Sequence, residues 1–172
     1  MEIKKKMQDA LNKQINAEFY SAYLYLAMSA YAESENLPGF ANWLNTQAQE
    51  EISHGMKMYK YINSRGGRVV LDKIEQPPKQ WKSITEVFES TLKHEVHVTD
   101  LIHNLVELAI KEKDRATESF LQWFVTEQVE EEESADAVLK KLKLANNNPS
   151  ALMFLDAEMA KRVFTPAPAK GE

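Results

Sequence analysis

Apolar residues recur along most of this chain at alternating steps of three and four. That spacing lines one side of a helix packed in a bundle. In residues 5 to 35 the stripe runs Leu11, Ile15, Glu18, Ala22, Tyr25, Ser29. In 39 to 66 it runs Phe40, Leu44, Gln47, Glu51, His54, Met58, Tyr61. In 84 to 111 it runs Ile84, Phe88, Thr91, Glu95, Val98, Ile102, Leu105, Ala109. In about 115 to 144 it runs Leu121, Phe124, Gln128, Glu131, Ala135, Val138, Leu142. The pattern predicts four helices, each roughly 40–46 Å long. A shorter apolar helix over about 150 to 161 holds Leu152, Met153, Phe154 and Leu155.

The breaks between stripes predict how the helices connect. Asn36-Leu37-Pro38-Gly39 and Lys113-Asp114-Arg115 are short turns, so the helices they join run antiparallel. Asp114 is placed to cap the helix after it. Arg65-Gly66-Gly67-Arg68 stops the second helix, and Ser83 with Glu86 forms a capping box that opens the third. Between them, residues 67 to 83 can stretch to about 55–60 Å, enough to run the length of the bundle. The expected fold is therefore all-α: an up-down-down-up four-helix bundle with a long crossover and a short C-terminal fifth helix. A single domain over 1–164 is expected, followed by a disordered tail over 165–172.

Each long stripe is interrupted near the helix midpoint by a carboxylate: Glu18, Glu51, Glu95 and Glu131. His54 follows Glu51 in an E-x-x-H spacing. The four glutamates fall about two residues from the predicted midpoints, or roughly 3–4 Å along the axis, so they share one level. A buried, unpaired carboxylate must keep its proton or find a cation. These seams supply no Lys or Arg. Four carboxylates and one imidazole suit iron or manganese with open coordination positions. Zinc favours a closed tetrahedron, and calcium and magnesium rarely recruit histidine. Two divalent ions would balance about four negative charges.

Neighbouring residues admit two readings each. Glu50, Glu127 and Glu130 flank the seam positions and form either an outer carboxylate site or a solvated face. Gln128 either hydrogen-bonds a bound oxygen species or satisfies a buried polar layer. Tyr25 either donates a hydrogen bond or an electron near the site or is a core tyrosine. Trp123 packs beside the site or in the core. His94, His97 and His103 lack acidic seam partners and are expected at the surface.

Composition narrows the function. The 172 residues carry a net charge of -5, which disfavours nucleic-acid partners. The absence of cysteine excludes thiolate metal sites, iron–sulfur clusters and disulfides. No apolar stretch is long enough to span a membrane, and the start lacks the apolar core of a signal peptide. A cytoplasmic protein without a membrane partner is expected.

Ile15-Asn16-Ala17-Glu18, Tyr20 to Tyr25, Gly39-Phe40-Ala41-Asn42-Trp43, Glu50-Glu51-Ile52-Ser53-His54, His94-Glu95 and Glu127-Gln128-Val129-Glu130-Glu131 together carry a resemblance. Across about residues 5 to 160 the chain resembles the non-haem ferritins of bacteria and archaea. The resemblance implies a ferritin-like bundle assembled as a hollow 24-subunit shell with ferroxidase activity and iron storage. It implies that Glu18 and His54 hold a first iron, that Glu51 bridges, and that Glu95 and Glu131 hold a second. Gln128 and Tyr25 would lie beside this centre. Glu50, Glu127 and Glu130 match a third, inward iron site. Ferrous iron and dioxygen (or peroxide) would be the substrates. Ile52 stands where the related bacterioferritins carry a haem-ligating methionine, so no haem is expected. A smaller assembly using a dinuclear metal site on a small substrate is the alternative.

Overall fold

The computed structural model describes residues 2–166. Five helices follow in order: α1 (Lys5–Ser34), α2 (Pro38–Ser64), α3 (Ile84–Lys111), α4 (Arg115–Ala145) and α5 (Pro149–Met159). No strand occurs among the described residues. The principal pairings are α1 with α2 and α3 with α4; α1 also meets α3, and α5 meets α2 and α4. The expected disordered tail lies outside the described residues from 167 onward. Thr165 and Pro166 are exposed and non-helical.

The helix ends are set by local chemistry. Pro38 is the first residue of α2, where its missing N–H costs nothing. Ser83 accepts from the Glu86 amide at 3.2 Å, but the Glu86 carboxylate reaches back one residue further than a capping box requires, to the Lys82 amide. Asp114 accepts from the Thr117 amide at 3.1 Å, and Asn148 accepts from the Ala151 amide at 3.0 Å ahead of Pro149. The chain leaves α4 through Asn146 and Asn147, both left-handed at φ 44° and 58°. Asparagine tolerates that region better than most residues.

The segment after α2 runs from one end of the bundle to the other. Gly66, at φ 69°, makes the turn. Side chains of α1 then hold the extended backbone. Gln8 Oε1 accepts from the Arg68 amide at 2.8 Å, Asn12 donates to Arg68 O at 3.2 Å, and Asn16 donates to Lys73 O at 2.9 Å. Trp81 buries against Tyr31, with ring centroids 5.6 Å apart, just before α3 begins. A segment with no ladder of its own is thus satisfied by polar residues on the outer face of α1.

The core is divided in two. One apolar cluster contains Leu24, Tyr25, Met28, Phe40, Leu44, Phe88, Val138 and Leu142. The other contains Met7, Leu11, Ile15, Met58, Ile62, Ile102, Leu121 and Phe124. On every long helix, the carboxylate that interrupts the seam lies between the two clusters.

α5 docks across the start of α2. Leu155 and Met159 are buried there, and Asp156 Oδ1 accepts from the Phe40 amide at 3.0 Å. The approach is so close that a Cβ on Gly39 would lie 1.7 Å from the Asp156 carbonyl oxygen.

Candidate metal centre

Glu18 comes from α1, Glu51 and His54 from α2, Glu95 from α3, and Gln128 and Glu131 from α4. All are at most 5% exposed. A helix repeats about every 3.6 residues, so Glu51 and His54 stand one above the other on the same face. One ligand atom each from Glu18, Glu51 and His54 all lie within 4.8 Å of one another, and so do those from His54, Glu127 and Glu131. His54 therefore belongs to two overlapping triads. Its Nδ1 lies 3.4 Å from Glu51 Oε2 and its Nε2 lies 3.7 Å from Glu127 Oε1.

Amides and a phenol orient the carboxylates. Gln14 donates to Glu18 Oε1 at 2.9 Å, and Gln47 donates to Glu131 Oε2 at 2.5 Å. Gln128 donates to Glu95 Oε2 at 3.3 Å and to the Glu95 carbonyl at 3.2 Å. The Tyr25 hydroxyl donates to Glu95 Oε1. Every donor contact here is neutral. Glu51 Oε2 is buried without a hydrogen bond, its charged neighbour being the His54 ring 3.4 Å away, and such an atom is stabilised by a cation facing it. The donor set, all oxygen apart from one imidazole, fits a hard-to-borderline divalent ion.

The protonation states follow from crowding. Burial drives Glu18 well above the ordinary carboxylate range, and Glu51 pushes it further, against the pull of His54. Burial, then Glu51 and Glu131, raises Glu95 in the same way. Burial and the nearby Glu51 lift Glu131 to about 7. Burial would also raise Glu51, but His54 outweighs it and Glu51 falls below its usual value. Burial opposes charge on His54, yet Glu127 and Glu51 together hold the ring well above its usual value. Burial and then Glu95 raise the Tyr25 hydroxyl. Without a cation the layer therefore favours a Glu51–His54 ion pair and retains protons on Glu18 and Glu95. A divalent ion would displace those protons.

The flanking acids diverge. Glu127 turns toward His54. Glu50 is ion-paired with Arg162, which follows α5. Glu130 is exposed. Trp123 packs edge-on to the His54 ring at 5.4 Å, and the Lys57 ammonium lies 4.1 Å from the Trp123 ring centroid.

Three further polar side chains, Gln14, Gln47 and His94, shape the layer or its border. Gln14 sits one turn before Glu18 and off the apolar stripe, so only its i, i+4 spacing signals it. Gln47 lies on the stripe itself, where a lone glutamine gives no sign of the carboxylate it meets. His94 corrects the expectation of a surface residue. It is partly buried, bonded to Ser21 Oγ at 2.7 Å, and packed 5.9 Å from both Tyr20 and Tyr25. α1 and α3 approach closely enough there to enclose it.

Comparison with known proteins places this architecture. The model of the ferritin-like domain matches residues 8–145. A bacterial non-haem ferritin of Bacteroides fragilis is 45% identical over 160 residues, covering 93% of this chain and 99% of its own. One from Staphylococcus aureus is 40% identical over 162 residues, covering 94% and 98%. Among solved structures, an engineered closed form of the Archaeoglobus fulgidus ferritin superposes with a TM-score of 0.94 at 54% identity, covering 95% of this chain and 99% of that one. The open-pore ferritin of the same archaeon gives a TM-score of 0.93 at 53% identity, covering 94% and 98%. With five helices in the same arrangement and a family match over most of its length, this chain belongs to the ferritin family, of the bacterial and archaeal non-haem type.

Proposed function

We propose that this protein oxidises ferrous iron at the buried glutamate–histidine layer and stores the ferric product inside a 24-subunit shell. The observation that carries the reading is the layer itself: four carboxylates and an imidazole from four helices, buried between two apolar clusters and supported by neutral donors alone. No structural need of a helical bundle accounts for so costly an arrangement.

Glu18 and His54 would hold one ferrous ion, Glu51 would bridge, and Glu95 and Glu131 would hold the second. Each iron gives one electron to dioxygen; two irons, one dioxygen and two protons yield two ferric ions and hydrogen peroxide. Negative carboxylates favour the more highly charged ferric state, which supplies the direction of the chemistry. Tyr25 and Gln128 hold Glu95, and Gln47 holds Glu131, so the second site keeps its ligands aimed inward during turnover. Glu127 reaches toward His54 from the flank and would receive product with Glu50 and Glu130 as a third site. The cytoplasm is the expected compartment.

The test is to load the apoprotein with excess ferrous iron in air and measure iron per chain co-eluting on size exclusion. Many irons per chain in a very large particle are expected. About two irons per chain in a small particle would preserve the dinuclear site and reject storage, in favour of redox chemistry on a small substrate.

A further inference from the structure

The three acids assigned to the third site are not gathered into one ligand group, Glu127 being grouped with His54 and Glu131 instead, and Glu50 is engaged elsewhere. Its carboxylate is ion-paired with the Arg162 guanidinium, the Glu50 and Arg162 side chains being only 16% and 20% exposed. Arg162 arrives from the far end of the chain and is held firmly. Its guanidinium lies 4.2 Å from the Trp43 ring centroid. The Asn42 amide donates to the carbonyls of Met159, Ala160 and Arg162 at 3.3, 3.3 and 3.0 Å. Asp156 fastens the same segment to the Phe40 amide. The arm after α5 is thus stitched along the first turns of α2, about two to three turns before Glu50, and delivers one fixed positive charge to it.

We propose that Arg162 competes with metal for Glu50, so that the C-terminal arm sets how readily the third site fills. The inference rests on the assignment of that site to Glu50, Glu127 and Glu130. A guanidinium on the carboxylate occupies an oxygen that an arriving cation needs, and its charge repels that cation across a poorly solvated gap. Arg162 Nη1 is buried without a hydrogen-bond partner. The guanidinium is therefore not saturated in its docked position, which lowers the cost of letting Glu50 go. Glu51 adjoins Glu50 along α2 and His54 lies about one turn further on, so filling of the two inner sites adds positive charge that opposes the same ion pair. The arm would hold the third site closed until the inner sites are loaded.

The experiment uses the full-length assembled apoprotein and redox-inert Zn(II), titrated by calorimetry. Arg162→Gln should bind its third ion about tenfold more tightly than the parent, with the two tighter ions unchanged. Adding Glu50→Gln should abolish that gain. A third ion bound equally, or more weakly, in Arg162→Gln would overturn the competition while leaving the third site standing. No third ion in either protein would remove the site and the competition together. Should the variant fail to assemble, Zn(II)-soaked crystals of the parent give the answer. Glu50 is expected on the ion and off Arg162, whereas an intact ion pair beside a filled third site would reject the proposal.

Discussion

A buried carboxylate must keep a proton or meet a cation, and the centre offers both alternatives in turn. Glu18, Glu95 and Glu131 all have raised proton affinities, Glu131 to about 7 against an ordinary 4.5. The sign follows from linkage. A carboxylate whose folded value is raised binds more protons folded than unfolded. Its contribution to stability is full below about 4.5 and is lost as pH rises through its folded value. The metal-free protein should therefore lose the stability contributed by Glu131 as pH rises from its ordinary 4.5 through about 7. Zn(II) binds the deprotonated form, so the rise in melting temperature it produces should grow over the same interval. A Zn(II) increment that shrinks with rising pH would contradict these protonation states. Removing ligands should act on the rate. Glu18→Ala or His54→Ala should slow the initial oxidation of ferrous iron, followed by absorbance, by more than the roughly 10- to 100-fold typical of losing an outer-shell partner. Unchanged initial rates in both variants would reject the centre as the site of oxidation.

At the scale of elements, the bundle depends on close approaches and caps whose loss can be measured. α5 lies on the start of α2 so tightly that Gly39→Ala must push the two backbones apart. A cost of about 1–3 kcal/mol is expected from such overpacking, read as a lower melting temperature and faster proteolysis after α4. Asp114 caps α4 and also pairs with Arg65 at 3.2 Å, tying the end of α2 to the start of α4. Asp114→Ala should cost about 0.5–2 kcal/mol for the cap alone, read as a lower melting temperature. The helices were legible in the sequence because long amphipathic stripes state their own period. The crossover was legible because its length had only one use. The positions of Glu18, Glu51, His54, Glu95 and Glu131 in a shared layer were legible for the same reason: each breaks a stripe at mid-helix. What the stripe cannot encode is where a polar side chain turns once it is there. Gln14 lies off the seam, His94 is enclosed by the approach of α1 to α3, and Glu50 is claimed by an arginine 112 residues away. Such contacts depend on the packed tertiary arrangement and have no local sequence period.

At the scale of the whole molecule, the remaining question is what faces the apolar surface that the subunit leaves uncovered. α5 buries Leu155 and Met159 but presents Met153 at 74% and Phe154 at 72% exposure, with Leu144 at 87% in the last turn of α4 and Val163 at 79% after α5. Large apolar side chains grouped on one helix and its neighbouring segments mark a surface meant to be covered. A second copy of this chain is the natural cover if the subunits form a closed shell, because every copy carries the same patch and symmetry brings patches together. Phe154 lies on a different part of the subunit from the glutamate layer. Phe154→Asp should therefore separate assembly from chemistry. Each subunit should retain fast oxidation of its first two irons, while size exclusion shows smaller particles and the iron held per chain falls from many toward two. A variant that elutes at the parental size with undiminished iron capacity would show that this face is not part of the shell contact, and the cover for α5 would have to be sought elsewhere.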